Sequence, residues 1–188
     1  MILHFHSFFS LRYGMMSPQE IVQRCESEAI SMRQKVAILL ADINNVSGVS
    51  NYLRAARDCK HILPLVGCDI RNGDRHLYLL LCESQSGFAQ MNAFLSEHLM
   101  GGRAFPEVAP EMLGVKVIYP IRNLWNWPKG FDASDSTWGI GIPWVHFDRL
   151  RLWKKPLPTG RLLAIQTVTV RDEIDFETHR LLRCIDHN

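Results

Sequence analysis

The sequence predicts a mixed α/β fold in a single domain, with strands that run parallel and are joined by helical crossovers. Strand-like apolar runs alternate with amphipathic helical stretches through residues 1–100, as in repeated βα units. The run Lys35-Val-Ala-Ile-Leu-Leu-Ala-Asp42 is continuously apolar, as expected of a strand covered on both faces. With 188 residues, of which 47% are apolar and 21% charged, the chain suits one domain with a sizeable core.

The first strand is placed at 2–6. Its histidines, His4 and His6, share one side because successive strand residues alternate faces. Two imidazoles so placed suit a metal site; equally, they suit an edge strand whose polar side chains face water. Ser17, Pro18 and Glu20 form a helix start, with N-cap, first-turn proline and capping box. Ile21, Val22, Cys25 and Ala29 supply that helix's apolar stripe to about Ser31. After the strand at 35–42, residues 44–48 read as a turn, with Asp42 a candidate cap for it. A helix then runs to Lys60 with Val49, Leu53, Ala56 and Cys59 roughly on one side.

A third strand spans 62–70 and tolerates Pro64 near its start. Arg71-Asn72-Gly73-Asp74 is a hairpin signal leading into the strand 76–82, where Asp69 and Asp74 suit turn acids. A helix over 88–99 buries Met91, Phe94 and Leu95. The second half is less regular: a Pro- and Gly-bearing connection at 101–113, a strand at 115–119, a tryptophan-rich loop at 123–137, a short strand at 139–142 and a helix at 143–153. Trp125, Trp127, Trp138, Trp144 and Trp153 are expected to pin these loops to their own domain, the alternative being a docking surface for a partner. A strand at 162–170 and a helix at 175–186, with Phe176, Leu181, Leu182 and Ile185 as its apolar set, close the chain. The organisation is thus a regular half 1–100, a loop-rich half 101–161, and a closing strand and helix 162–188.

The net charge of +2 argues neither for nor against nucleic acid, although the basic stretch Arg149–Lys155 would give steeply salt-dependent binding if it contacted phosphates. Five cysteines, an odd number without a Cys-x-x-Cys pair, suit a reducing, cytoplasmic setting. No basic leader and no apolar run near 18 residues is present, so neither signal peptide nor membrane span is expected.

The order of His4-Phe-His6-Ser7, Ser10-Leu-Arg-Tyr-Gly14, Ala41-Asp-Ile-Asn-Asn45, Pro64-Leu-Val-Gly-Cys-Asp69 and His76–Leu81 resembles the N-terminal PHP (polymerase and histidinol phosphatase) domain of the bacterial replicative DNA polymerase III alpha subunit. Residues 178–186 look like the helix that ends this domain before the polymerase palm. The resemblance implies a distorted (β/α)7 barrel, TIM-like, with a metal cluster at the strand mouth. Active members hydrolyse phosphoesters, in some polymerases as a 3′–5′ exonuclease.

Under the resemblance, His4, His6, His76 and Asp69 fall at ligand positions, Asp69 in place of a glutamate. Tyr13 stands where the family has an acid, Ile43 beside Asp42 and Asn44 where it has a histidine, and Thr167-Val168-Thr169 where it has Asp-x-His. No cysteine ligand is found around Tyr119–Arg122. Neither isoleucine nor a neutral hydroxyl replaces an anionic or imidazole donor. The implied reading is a degenerate, non-catalytic domain with remnant ligands His4, His6, Asp69 and His76 and a pocket containing Asp42, Tyr13 and Asn44. It would hold no cofactor, or at most a single Zn or Mn ion. Its partners would be the polymerase core of the same parent chain, replisome subunits such as a proofreading factor, and DNA indirectly. The alternative is an active metal-dependent phosphoesterase or exonuclease recruiting Asp172, Asp175 or His179.

Overall fold

The computed structural model describes residues 1–122, 137–150 and 159–186. Its elements are β1 (Ile2–Phe5), α1 (Pro18–Ser31), β2 (Val36–Leu40), α2 (Val49–Ala56), β3 (Ile62–Asn72), β4 (Arg75–Cys82), α3 (Gln85–Met100), β5 (Val115–Pro120), β6 (Trp138–Ile142), α4 (Phe147–Leu150), β7 (Leu162–Val168) and α5 (Glu173–Asp186). The strands are hydrogen-bonded in chain order from β1 to β7, and the sheet closes as a barrel. Two compact units make up the chain: Ile2–Cys68 with Thr167–Asn188, and Met1 with Asp69–Gln166.

In the first unit β1 runs parallel to β2, His4 opposite Leu39, and β2 runs parallel to β3, Leu40 opposite Val66. Helix α1 starts where its cap signals place it. The Ser17 side chain accepts from the Glu20 amide, and the Glu20 carboxylate accepts from the Ser17 amide at 2.8 Å. Ile21, Val22 and Ala29 then pack with Phe5, Met16, Ile38, Leu40, Tyr52 and Ala56 into one apolar core. The Tyr52 hydroxyl donates to the Ile38 carbonyl at 2.7 Å, so this large ring brings its polar atom inside without loss.

Two expectations for this unit are corrected. Helix α2 ends at Ala56, and Leu53 is exposed; Tyr52 takes the inward position instead. On α5 the buried residue is Asp175, whereas Phe176, Leu181 and Ile185 are exposed and Leu182 is half-buried. The Arg171 guanidinium grips Asp175 through Nε and Nη2, at 2.7 and 2.8 Å. His179 Nδ1 donates to the Tyr13 carbonyl at 2.7 Å. These polar anchors choose the inward face of α5, and counting apolar residues does not register them.

In the second unit β4 is antiparallel to β5, β5 parallel to β6, and β6 parallel to β7. The antiparallel pair interrupts the parallel order of the βα repeats at the strand that the hairpin signal introduces. It follows from the two-residue turn at Gly73-Asp74, where Gly73 has φ +58°, because so short a connection reverses the chain. Asp74 is the exposed turn acid expected. Helix α3 starts three residues before its expected Phe88, with Ser84 accepting from the Gly87 amide, and it buries Met91, Phe94 and Leu95. Over the described part of the helix expected at 143–153, a 3-10 turn at Trp144–His146 leads into α4, and residues 151–153 lie outside the described residues. Trp138 is buried under the Arg161 guanidinium at 4.6 Å, but Trp144 is exposed. Trp125, Trp127, Trp153, the basic side chains of 149–155 and the loop at 123–136 lie outside the described residues.

Candidate functional site: a hydrogen-bonded PHP centre

β1 and the start of the loop after it present His4, His6 and Ser7, all buried. The imidazoles lie on one side of the strand, as alternation requires, with ring centroids 4.5 Å apart and planes at 78°. Their burial overturns the water-facing edge-strand alternative. His4 Nε2 lies 3.1 Å from the Ala41 carbonyl, which only accepts, so Nε2 carries the proton. His4 Nδ1 then accepts from the Thr167 hydroxyl at 3.2 Å. His6 Nδ1 meets the Thr169 hydroxyl at 3.3 Å. Two threonines two residues apart thus face two histidines two residues apart.

Behind the histidines lies a carboxylate knot. Asp42, just past β2, accepts from the Ser7 amide, the Ser7 hydroxyl and the Ser10 hydroxyl, each at 2.7 Å. Both hydroxyls also accept: Ser7 Oγ from the Phe9 amide and Ser10 Oγ from the Ile43 amide. Burial pushes the Asp42 carboxyl above the usual carboxylate range, and the hydrogen bonds from Ser10 and Ser7 and the neighbouring His6 oppose that rise without cancelling it. The knot needs room beside it. A Cβ on Gly48 would come within 2.9 Å of Asp42 Oδ2, and one on Gly14 within 1.8 Å of the Ser7 carbonyl. Asp42 is therefore not the cap of the following turn; Asn45 is, accepting from the Ser47 amide at 3.1 Å. Asn44 makes that turn possible at φ +53°, a conformation asparagine tolerates better than most residues.

An edge-to-face stack fills the remaining side. Tyr13 stands against His6 at 5.1 Å and against His179 at 4.9 Å, with the Arg183 guanidinium 5.4 Å from its ring. Asp172 accepts from the Asp175 amide and Asp175 is held by Arg171, so both of these acids have structural work, as does His179.

The second unit holds the other candidate ligands. Asp69 is buried rather than a surface turn acid, and it is gripped by Arg71 two residues along β3: Nη2 to Oδ2 at 2.7 Å and Nε to both oxygens at 3.1 Å. His76 Nε2 on β4 lies 3.4 Å from Asp69 Oδ1.

The family profile described as PHP domain matches residues 3–117. The chain belongs to the PHP domain family. No curated protein matches it. Among solved structures it is similar to an amidohydrolase from Chromobacterium violaceum with bound sulfate and no metal. The identity is 23% over 54% of this chain and 34% of that one, with a TM-score of 0.38; this PHP domain therefore spans about a third of that protein's length. No helix among its described residues is long and apolar enough to cross a membrane.

His4, His6 and Asp69 are buried residues of the types that bind a divalent ion. Their bonding does not fit a cluster of such ions. A metal-bound imidazole must offer a bare nitrogen, and both nitrogens of His4 are in use. Asp69 already faces a guanidinium, which is itself a fixed positive charge. Asp42 already accepts from three protein donors. At the other positions where the sequence resemblance implies ligands, the chain has Tyr13, Ile43, Thr167 and Thr169. Sequence reading singled out the histidines and the two acids but missed Ser7, Ser10 and Arg71. Arg71 had a signal, since an arginine two residues from an acid on a strand shares its face. The serines, 35 and 32 residues from Asp42, had none.

Proposed function

We propose that this PHP domain is a non-catalytic scaffold in which an internal hydrogen-bond network replaces the hydrolytic metal cluster. The observation that carries the reading is His4, whose two nitrogens are taken by Ala41 and Thr167. The Asp42 knot and the Asp69–Arg71 pair support it, because each satisfies a buried carboxylate with protein donors. Imidazole, hydroxyl and carboxylate here neutralise one another; none is left poised to activate water.

The motif order from His4 to Leu81 favours the finer assignment: a domain like that of a replicative DNA polymerase III alpha subunit, placed beside a polymerase core in the cytoplasm, with replisome subunits as partners and DNA met through them.

The test is elemental analysis of purified protein combined with assays on p-nitrophenyl phosphate and single-stranded DNA in Mn²⁺ or Zn²⁺. The expected result is substoichiometric metal and no turnover. Two or three ions per chain, with metal-dependent release of nucleotides that His6→Ala abolishes, would establish the active-phosphoesterase alternative. Co-purification with polymerase and replisome subunits checks the finer assignment separately.

A further inference from the structure

The opposite face of β1 borders a cavity of about 310 Å³ that lies within the first unit and is distinct from the histidine site. Leu3 and Phe5, the residues alternating with the histidines, line it together with Val168 and with Ile21 on α1. Its volume is at the small end of the range for ligand pockets, and its lining is mostly apolar, as such pockets require.

The exposed edge of α1 supplies charge at the rim of this cavity. Positions 21, 24, 25 and 28 share one helical face, and two of them, Arg24 and Glu28, are charged and line the cavity. Both are exposed; Arg24 helps to hold down the Asp175 carboxyl from a distance, and neither side chain is among the close ion pairs of the described residues. Arg171 also lines the cavity, but Asp175 and Glu20 hold it. The mouth therefore presents one available cation and one available anion, a helical turn apart, above an apolar interior.

We propose that this cavity binds a small zwitterion with an apolar tail, an α-amino acid of the leucine type. Its carboxylate pairs with Arg24, its ammonium with Glu28, and its side chain enters between Leu3, Phe5, Ile21 and Val168. A fatty acid would leave Glu28 facing the ligand without a counter-charge, and an alkylamine would leave Arg24 so. The zwitterion satisfies both.

The test titrates the full chain with L-leucine, 4-methylpentanoate and 3-methylbutylamine, followed by calorimetry and by NMR shifts of the residues around Ile21. Leucine is expected to saturate in the millimolar range and to bind about tenfold more tightly than either single-charge analogue, the loss expected for one charge-assisted contact. Arg24→Gln, at an exposed position that leaves the fold intact, should bring leucine down to the level of the amine and leave the amine unchanged. Val168→Phe, which fills the cavity, should abolish binding of all three. Absence of saturation by leucine at tens of millimolar, or equal leucine affinity in wild type and Arg24→Gln, would overturn the assignment.

Discussion

His4 and Thr167 are joined by a hydrogen bond of 3.2 Å, and two residues further on, just past the ends of β1 and β7, His6 and Thr169 repeat the pairing at 3.3 Å. A hydroxyl can answer whatever tautomer an imidazole adopts, as donor or as acceptor. Thr167→Val keeps the shape and removes the donor, leaving His4 Nδ1 buried without that bond. The variant is expected to lose about 1 to 2 kcal/mol of stability, measured as a shift in urea midpoint at unchanged slope.

Placing at the same two positions the donors that the sequence resemblance implies should reverse the character of the site. Thr167→Asp with Thr169→His sets a carboxylate and a third imidazole beside His4 and His6, enough N and O ligands to hold zinc. Zinc titration is expected to show one equivalent bound by the double variant and none by the parent at the same free zinc. Equal uptake by the two proteins would refute the view that lost donors alone account for the degenerate centre.

Asp42 ties the loop after β1 to the end of β2. Asp42→Ala would orphan the Ser7 amide and two hydroxyls at once, for a cost of about 3 kcal/mol. Amide exchange should rise first at residues 7–14, whose backbone this carboxylate organises. Gly14→Ala should have a comparable effect by a different route, since its Cβ would overlap the Ser7 carbonyl, and overpacking against backbone has no flexible neighbour to yield.

The acidic groups divide by sign. Glu20, held down chiefly by the Ser17 amide, Glu26 by His61 and Asp175 by Arg171 have folded pKa values below their ordinary ones. Their stabilisation is complete above the unfolded carboxylate value near 4 and is lost as pH falls through the lowered folded values. Asp42 runs the other way: its folded value is raised, so its contribution is fullest when protonated and declines as pH rises through that value. Urea midpoints between about pH 2.5 and 7 should show a falling acid limb in wild type. Asp175→Asn should flatten that limb, and Asp42→Asn should leave it as steep or steeper.

The sequence made legible what depends on near neighbours. Alternation placed both histidines on one side of β1, Ser17-Pro18 and Glu20 marked the start of α1, and Arg71-Asn72-Gly73-Asp74 marked the reversal between β3 and β4. What escaped it depends on distant partners. The acceptor role of Asp42 rests on serines more than thirty positions earlier. The inward face of α5 is chosen by the ion pair of Asp175 with Arg171 and by the bond of His179 to Tyr13, while Leu181 and Ile185 point outward. Leu53 lost its expected place because Tyr52 has the Ile38 carbonyl to receive its hydroxyl. In each case a polar bond decided an orientation that hydrophobic periodicity had assigned differently.

β1 is only four residues long, yet Leu3 and Phe5 border the outer cavity while His4 and His6 meet the two threonines. With a period of two, sliding the strand by one position exchanges those faces wholesale. A single-codon insertion after Met1 that slipped the strand would thus drive aliphatic and aromatic groups against Thr167 and Thr169 and carry imidazoles into the greasy cleft. Both surfaces are therefore inherited together, and neither can drift in frame without ruining the other.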